Sequence, residues 1–297
     1  MNKGEDKVNE IAKALLSDRP FIEIYAQIEQ LFYGMDPASL AALMQNIGCR
    51  MKEIIGPKVP SANQAALYDS GFYKWVQVGS QHSARAIVPL LVNLIQPQSV
   101  IDVGCGDGTW LSTFMEYGVK RVQGLDGPWV RVEDLKIPKD FFRAVDLWTF
   151  HPHKADKYDL VFSVECAEHL EKEHAGRFIQ VLCNFGPIVC FSAAIPFQGG
   201  AGHVNEQWPD YWVNAFEGNG YHVIDCIRPK VWSNPAVESW YAQNMFLFAS
   251  DVALERSSTL SKVRSQDNKS ILSMVHPAHY LKSVMFLLPE LVRKGMY

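Results

Sequence analysis

Two short stretches hold side chains whose types and spacing could do chemistry. In VIDVGCGDGTW, Val100 to Trp110, an acid and three alternating glycines follow directly on an apolar run. Glycine tolerates positive φ and close backbone approach, so a turn of this kind after a strand can carry a bulky ligand. The dinucleotide fingerprint is G-x-G-x-x-G, whereas Gly104, Gly106 and Gly108 read G-C-G-D-G, with Asp102 two residues ahead. Asp126 ends the next apolar run, where a carboxylate can accept both hydroxyls of a ribose.

In the second stretch, ECAEH, Glu165, Glu168 and His169 are spaced i, i+3, i+4. They would share one face if they opened a helix. His203 and Glu206 lie downstream in a glycine-bearing loop able to approach the same place. Two readings stand side by side. The acids and imidazole brace a loop, or Glu165, Glu168, His169 and His203 ligate a divalent metal. A hard cation takes carboxylates and can clamp two neighbouring hydroxyls, and two imidazoles leave Mn²⁺, Fe²⁺ or Zn²⁺ open. Without a metal, His203 or His169 is the natural general base.

The elements that must position these groups follow from periodicity. Up to about residue 66 the chain reads as three helices, with apolar residues at helical spacing, stops at Gly34 and Gly56-Pro57, and Asp36-Pro37 as a start. This segment is expected to be a cap or a homodimer surface. Residues 67–297 are expected to form the catalytic domain, an α/β domain with a mostly parallel sheet. Its strands are SVIDVG, RVQGLD, FFRAVDL, YDLVFSV and PIVCFSAAIP, separated by helices such as TWLSTFMEYG, HAGRFIQVLCNFG and WPDYWVNAFEGNG. YHVIDCIRP and QNMFLFAS read as two closing strands with no helix between them, which permits an antiparallel edge hairpin. Residues 251–270 are polar and read as a surface segment.

Composition narrows the function. Hydrophobic residues make up 48% and charged residues 20% of the 297, ordinary for a globular enzyme. The net charge of −4, without a basic stripe, argues against a nucleic-acid partner. No apolar run approaches the ~18 residues of a membrane span, and the polar, acid-bearing N-terminus is unlike a signal or transit peptide. None of the six cysteines forms a C-x-x-C pair, so reduced, mostly buried thiols and a cytoplasmic location are expected.

VIDVGCGDG, GLDG, AVDLW and YDLVFSVECAEHL, in that order, resemble the class I S-adenosylmethionine-dependent methyltransferases from about Ser80 to Ser250. FSAAIPFQGGAGHVNEQWPDYW together with WYAQN resembles bacterial methyltransferases of glycan and natural-product pathways. The resemblance implies a Rossmann-like seven-stranded sheet of order 3-2-1-4-5-7-6. It implies S-adenosylmethionine held by the backbone of Gly104, Cys105 and Gly106, with Asp102 near its amino-acid end, Asp126 on the ribose, and Asp146 and Leu147 flanking the adenine. E-x-x-E-H arrangements resemble those of ubiquinone-pathway O-methyltransferases and of small-RNA 2′-O-methyltransferases, which implies Mg²⁺ or Mn²⁺. The expected reaction is O-methylation of a small molecule, a sugar or natural-product intermediate, by Glu168, His169 and His203. An RNA 2′-O-methyltransferase and a non-catalytic cofactor-binding scaffold are the alternatives. A nicotinamide dehydrogenase is opposed by the glycine spacing.

Overall fold

A computed structural model describes residues 70–277, except 148, 154, 155, 201 and 267–271. The helices expected before residue 66, the domain boundary there and Cys49 lie outside these residues, as does the chain after 277. A long first helix, α1 (Ser70–Ile95), places Ala84, Ile87, Val88 and Leu91 on one buried stripe at helical spacing. Gln96 leaves it at φ 52.

The sheet has seven strands: β1 (Ser99–Val103), β2 (Arg121–Asp126), β3 (Phe142–Ala144), β4 (Leu160–Val164), β5 (Ile188–Ser192), β6 (Tyr221–Ile224) and β7 (Phe246–Ser250). Their order is β3-β2-β1-β4-β5-β7-β6, as the resemblance implied. The first five run parallel, and β7 lies antiparallel between β5 and β6. Every residue of β1, β4 and β5 is buried, because both sheet faces are covered. The side chains alternate between two apolar layers. Val100, Leu160, Phe162, Cys190 and Leu247 join α1 and α2 (Thr109–Glu116) on one face. Ile101, Val103, Val161, Val189, Phe191 and Phe248 meet α3 (Lys172–Phe185) and α4 (Pro209–Glu217) on the other.

One expectation about the end of the sheet needs correction. β6 and β7 pair antiparallel, but two short helices intervene, α5 (Arg228–Val231) and α6 (Ser239–Asn244). Helices of four and six residues are too short to leave a readable period. Residues 251–266, read as a polar surface segment, are largely exposed and form α7 (Asp251–Arg256) and α8 (Ser258–Gln266), which bury Ala253, Leu254 and Leu260. Among the described residues no cysteine stands in a disulfide, and Cys105, Cys166 and Cys190 are buried. No helix among them is long and apolar enough to cross a membrane.

The strand order reverses between β1 and β4, which are hydrogen-bonded neighbours. In open α/β sheets the crevice at the carboxyl ends of such a pair is where ligands bind. The topology therefore brings the glycine turn after β1 and the acid–histidine turn after β4 to one place. The Ser163 hydroxyl donates to the Val103 carbonyl at 2.7 Å and fastens the two strand ends together.

Candidate active site

The glycine turn is built by β1 against β2. The amides of Gly104 and Cys105 donate to the Leu125 carbonyl at 2.8 and 3.1 Å. Gly104 sits at φ 86, and a Cβ there would collide with the Cys166 thiol, so only glycine lets the two turns close on each other. Gly106, at φ 53, has no atom within 4 Å of the place a Cβ would occupy, so its backbone faces open space. The Asp126 carboxylate accepts the Gly106 amide at 2.7 Å and the Gly127 amide at 2.6 Å, which fixes the turn from the end of β2. Burial pushes the Asp126 pKa up, and those two amides with the Trp129 side chain pull it partly back.

Asp102, inside β1, is 1% exposed, and neither carboxylate oxygen has a hydrogen-bond partner in the protein. Burial raises its pKa well above the usual carboxylate range, and the charges of Asp126 and Asp107 add to the rise. An unpaired buried acid is costly unless a ligand supplies a donor or a positive charge. On the other rim Val145 donates to the Asp126 carbonyl at 2.8 Å, which sets the loop of Asp146 and Leu147 beside β2. Asp146 is exposed and accepts the Thr149 hydroxyl at 3.0 Å.

The acid–histidine turn departs from the helical spacing read in the sequence. Glu165 takes φ 51, unusual for a side-chain-bearing residue. Ala167–His169 form one turn of 3-10 helix, and α3 begins only at Lys172. Glu165 therefore precedes the helical turn and does not share a helix face with Glu168 and His169. Its Oε1 accepts the Ser192 hydroxyl at 2.8 Å and the Asn244 amide at 3.1 Å, and its Oε2 accepts the Gln198 amide at 2.6 Å. Burial raises its pKa, and these three donors oppose the rise.

Glu168, His169 and His203 do come together, each offering one ligand atom, with these atoms all within 4.8 Å of one another. The loop that brings His203 is clamped to the turn, because Val204 and Asn205 both donate to the Glu168 carbonyl, at 2.9 and 3.0 Å. Glu206, which the sequence placed only in the same loop, accepts His203 Nδ1–H at 3.0 Å. His169 Nδ1 lies 3.3 Å from the Gly202 carbonyl, an acceptor, so Nδ1 is the donor there too. A ring that donates from Nδ1 in its neutral form has Nε2 as its acceptor nitrogen. The rings stand edge to face with centroids 4.8 Å apart, and Gly200 packs so closely on the His203 ring that a Cβ would overlap it.

Glu168 is fully buried, its carboxylate has no hydrogen-bond partner, and Oε1 stands 3.9 Å from His203 Nε2. Burial raises its pKa well above the usual range and the Glu165 charge adds to this, while the nearby amides of Glu168 and Ala194 act against it. Burial and the neighbouring His203 depress His169 to about 4. An imidazole so depressed stays neutral at ordinary pH, the form in which a ring nitrogen ligates a metal.

A buried carboxylate beside two imidazoles, each offering a ligand atom, is a donor set that suits a divalent cation. Ligands about 2.1 Å from an ion lie about 3 to 3.5 Å apart, so the trio would close slightly to hold one. Among the described residues this is the group of acids, thiols and imidazoles close enough to do so, and Glu165 is not part of it. Sequence reasoning assigned no role to Ser192, Gln198 or Asn244. Ser192 and Gln198 stand in FSAAIPFQGGAGHVNEQWPDYW and Asn244 in WYAQN, which were the available signal.

Residues 79–187, from α1 to the end of α3, match the family model described as "Methyltransferase domain". The methyltransferase domain of bacterial CtHen1-C is 18% identical, over 57% of this chain and 97% of that one, with a TM-score of 0.44. The magnesium protoporphyrin IX methyltransferase of Synechocystis PCC 6803 with bound SAH is 19% identical, over 68% and 93% of the two chains, at 0.46. A putative O-methyltransferase of Nostoc punctiforme PCC 73102 is 14% identical, over 68% of each, at 0.49.

Proposed function

We propose that the methyltransferase domain carried by this chain, which takes S-adenosylmethionine as its donor, methylates a hydroxyl of a small molecule beside a divalent ion held by Glu168, His169 and His203. A sugar or natural-product intermediate is the acceptor class. The observation that carries the reading is the fully buried Glu168 carboxylate, which has no hydrogen-bond partner and faces two imidazoles anchored through Nδ1.

The residues at the crevice fit the donor. Gly104, Cys105 and Gly106 would carry it on their backbone, Asp102 would take its amino-acid end, Asp126 its ribose, and Asp146 and Leu147 its adenine. S-adenosylmethionine supplies a methyl group already activated on a sulfonium. The protein therefore has to hold the acceptor oxygen in line and see its proton removed. When bound, a divalent ion supplies Lewis acidity that lowers a hydroxyl's pKa. Glu168 contributes the negative charge at that place. Glu206 and the Gly202 carbonyl orient His203 and His169 so that each presents Nε2, the arrangement that fixes metal-bound histidines elsewhere. Burial around Glu168 and Ala194 keeps water from competing. The net charge of −4 favours an uncharged acceptor over a polyanion such as RNA.

The test is calorimetric titration of EDTA-stripped protein with Mn²⁺ and Mg²⁺. One Mn²⁺ per chain at micromolar affinity is expected, with Mg²⁺ weaker because of the two imidazoles. Absence of binding up to millimolar metal contradicts the metal-assisted reading and leaves His203 as the general base.

A further inference from the structure

The Glu165 carboxylate is the terminus of a longer run of hydrogen bonds. The His276 amide donates to Gln243 Oε1 at 2.7 Å, and Gln243 Nε2 donates to Asn244 Oδ1 at 2.8 Å. Asn244 Nδ2 donates to Glu165 Oε1 at 3.1 Å and to Gln198 Oε1 at 2.7 Å, and Gln198 Nε2 donates to Glu165 Oε2 at 2.6 Å. Every bond points the same way, from the segment at residue 276 toward the carboxylate. Flipping the Gln243 amide would set donor on donor at His276. Flipping Asn244 would set acceptor on acceptor at both Glu165 and Gln198. The orientation is thus forced by the network. Gln243 is fully buried and Asn244 is 3% exposed, so such a chain is strong when complete and costly when cut.

The far end is fastened as well. Arg228, paired with Asp225 in the interior, donates to the Leu272 carbonyl at 2.8 Å, and His276 Nε2 lies 2.7 Å from the Trp232 carbonyl. At the near end the chain branches onto both pieces that carry the trio. Through Glu165 it fixes the turn of Glu168 and His169. Through Gln198, which accepts the Ile195 amide at 3.3 Å, it fixes the start of the loop that delivers His203. Glu206 closes the same loop on the amides of Phe197 and Gly199 at 3.0 and 2.9 Å while it orients His203.

We propose that Gln243 and Asn244 are positioning residues: they pass a one-directional hydrogen-bond chain from the 272–276 segment to Glu165 and Gln198, and so set the turn and the loop that present Glu168, His169 and His203. Glu165 acts in this account as an anchor at the chain's end. The positioning stands on the hydrogen bonds alone, and only what the positioned trio holds rests on the metal reading above.

The experiment compares wild type with Asn244→Ala and Gln243→Leu in the full chain, metal-free, by hydrogen exchange at the Val204 and Asn205 amides. Both amides bond to the Glu168 carbonyl and report the clamp between loop and turn. Exchange there is expected to quicken by about tenfold or more in Asn244→Ala, with the amides of β4 and β5 unchanged. Gln243→Leu, which removes only the incoming donor, is expected to act in the same direction and less. S-adenosylhomocysteine affinity is expected to stay within about threefold of wild type, and Mn²⁺ affinity to fall about 10- to 100-fold. If Asn244→Ala does not fold, Gln243→Leu decides. Unchanged protection at Val204 and Asn205 in the folded variant overturns the proposal. A wild type that takes up no Mn²⁺, with exchange still responding to the substitutions, overturns the metal reading and supports the positioning.

Discussion

Glu168→Gln is expected to abolish Mn²⁺ binding, to lower methyl transfer by about 10²- to 10⁴-fold, and to raise the thermal midpoint of the metal-free protein. The three effects share one cause. The Glu168 carboxylate is fully buried and lacks a hydrogen-bond partner, so it destabilises the fold unless something positive meets it. Glutamine keeps the shape and removes the cost of burying the carboxylate or of protonating it. The isolated protein gains stability, while the one anionic member of the trio is lost. S-adenosylhomocysteine affinity is expected to be unchanged, because the glycine turn belongs to β1 and β2. Metal titration, a methyl-transfer assay and thermal unfolding check the three effects separately, and calorimetry with S-adenosylhomocysteine checks the cofactor affinity. A variant that binds Mn²⁺ like wild type would contradict the assignment of Glu168.

Asp102→Asn is expected to separate stability from cofactor binding in the same manner at the other turn. Its carboxylate is buried without a partner, and burial together with Asp126 and Asp107 raises its pKa. In the folded, cofactor-free state the group keeps a proton that the unfolded chain releases above about pH 4. Its contribution to stability therefore falls as pH rises from there toward the raised folded value. The asparagine variant is expected to melt at higher temperature near neutral pH and to show a shallower loss of stability across that window. With the charge gone, affinity for S-adenosylhomocysteine is expected to drop about 10- to 100-fold, the worth of one charge-assisted hydrogen bond. Unfolding followed from pH 4 to 8, with calorimetry at neutral pH, checks both. Unchanged affinity would remove Asp102 from the cofactor site.

The glycine turn could be read from sequence because its determinants are local. An apolar run such as SVIDV can be buried on both faces only as an inner strand, and glycines at positive φ follow it at once. The strand order came from resemblance alone, since periodicity carries no information about which strands pair. The acid–histidine turn was half legible. Residue types pointed to Glu168, His169 and His203, but the i, i+3, i+4 spacing pointed to a helix. The positive φ of Glu165 breaks that helix and turns its carboxylate toward Asn244, 79 residues away. No local pattern in the sequence announces that partner. Asp146 and Leu147 illustrate the same limit: their place beside β2 follows from one backbone bond, from Val145 to Asp126.

The central claim is that the crevice between β1 and β4 binds S-adenosylmethionine next to a cation-holding trio. Calorimetric titration of the EDTA-stripped full chain with S-adenosylhomocysteine, in the absence and presence of Mn²⁺, tests it most directly. The account predicts one molecule per chain at micromolar affinity in both conditions, lost on Asp126→Ala and retained on Glu168→Gln. Absence of binding in either condition would contradict it.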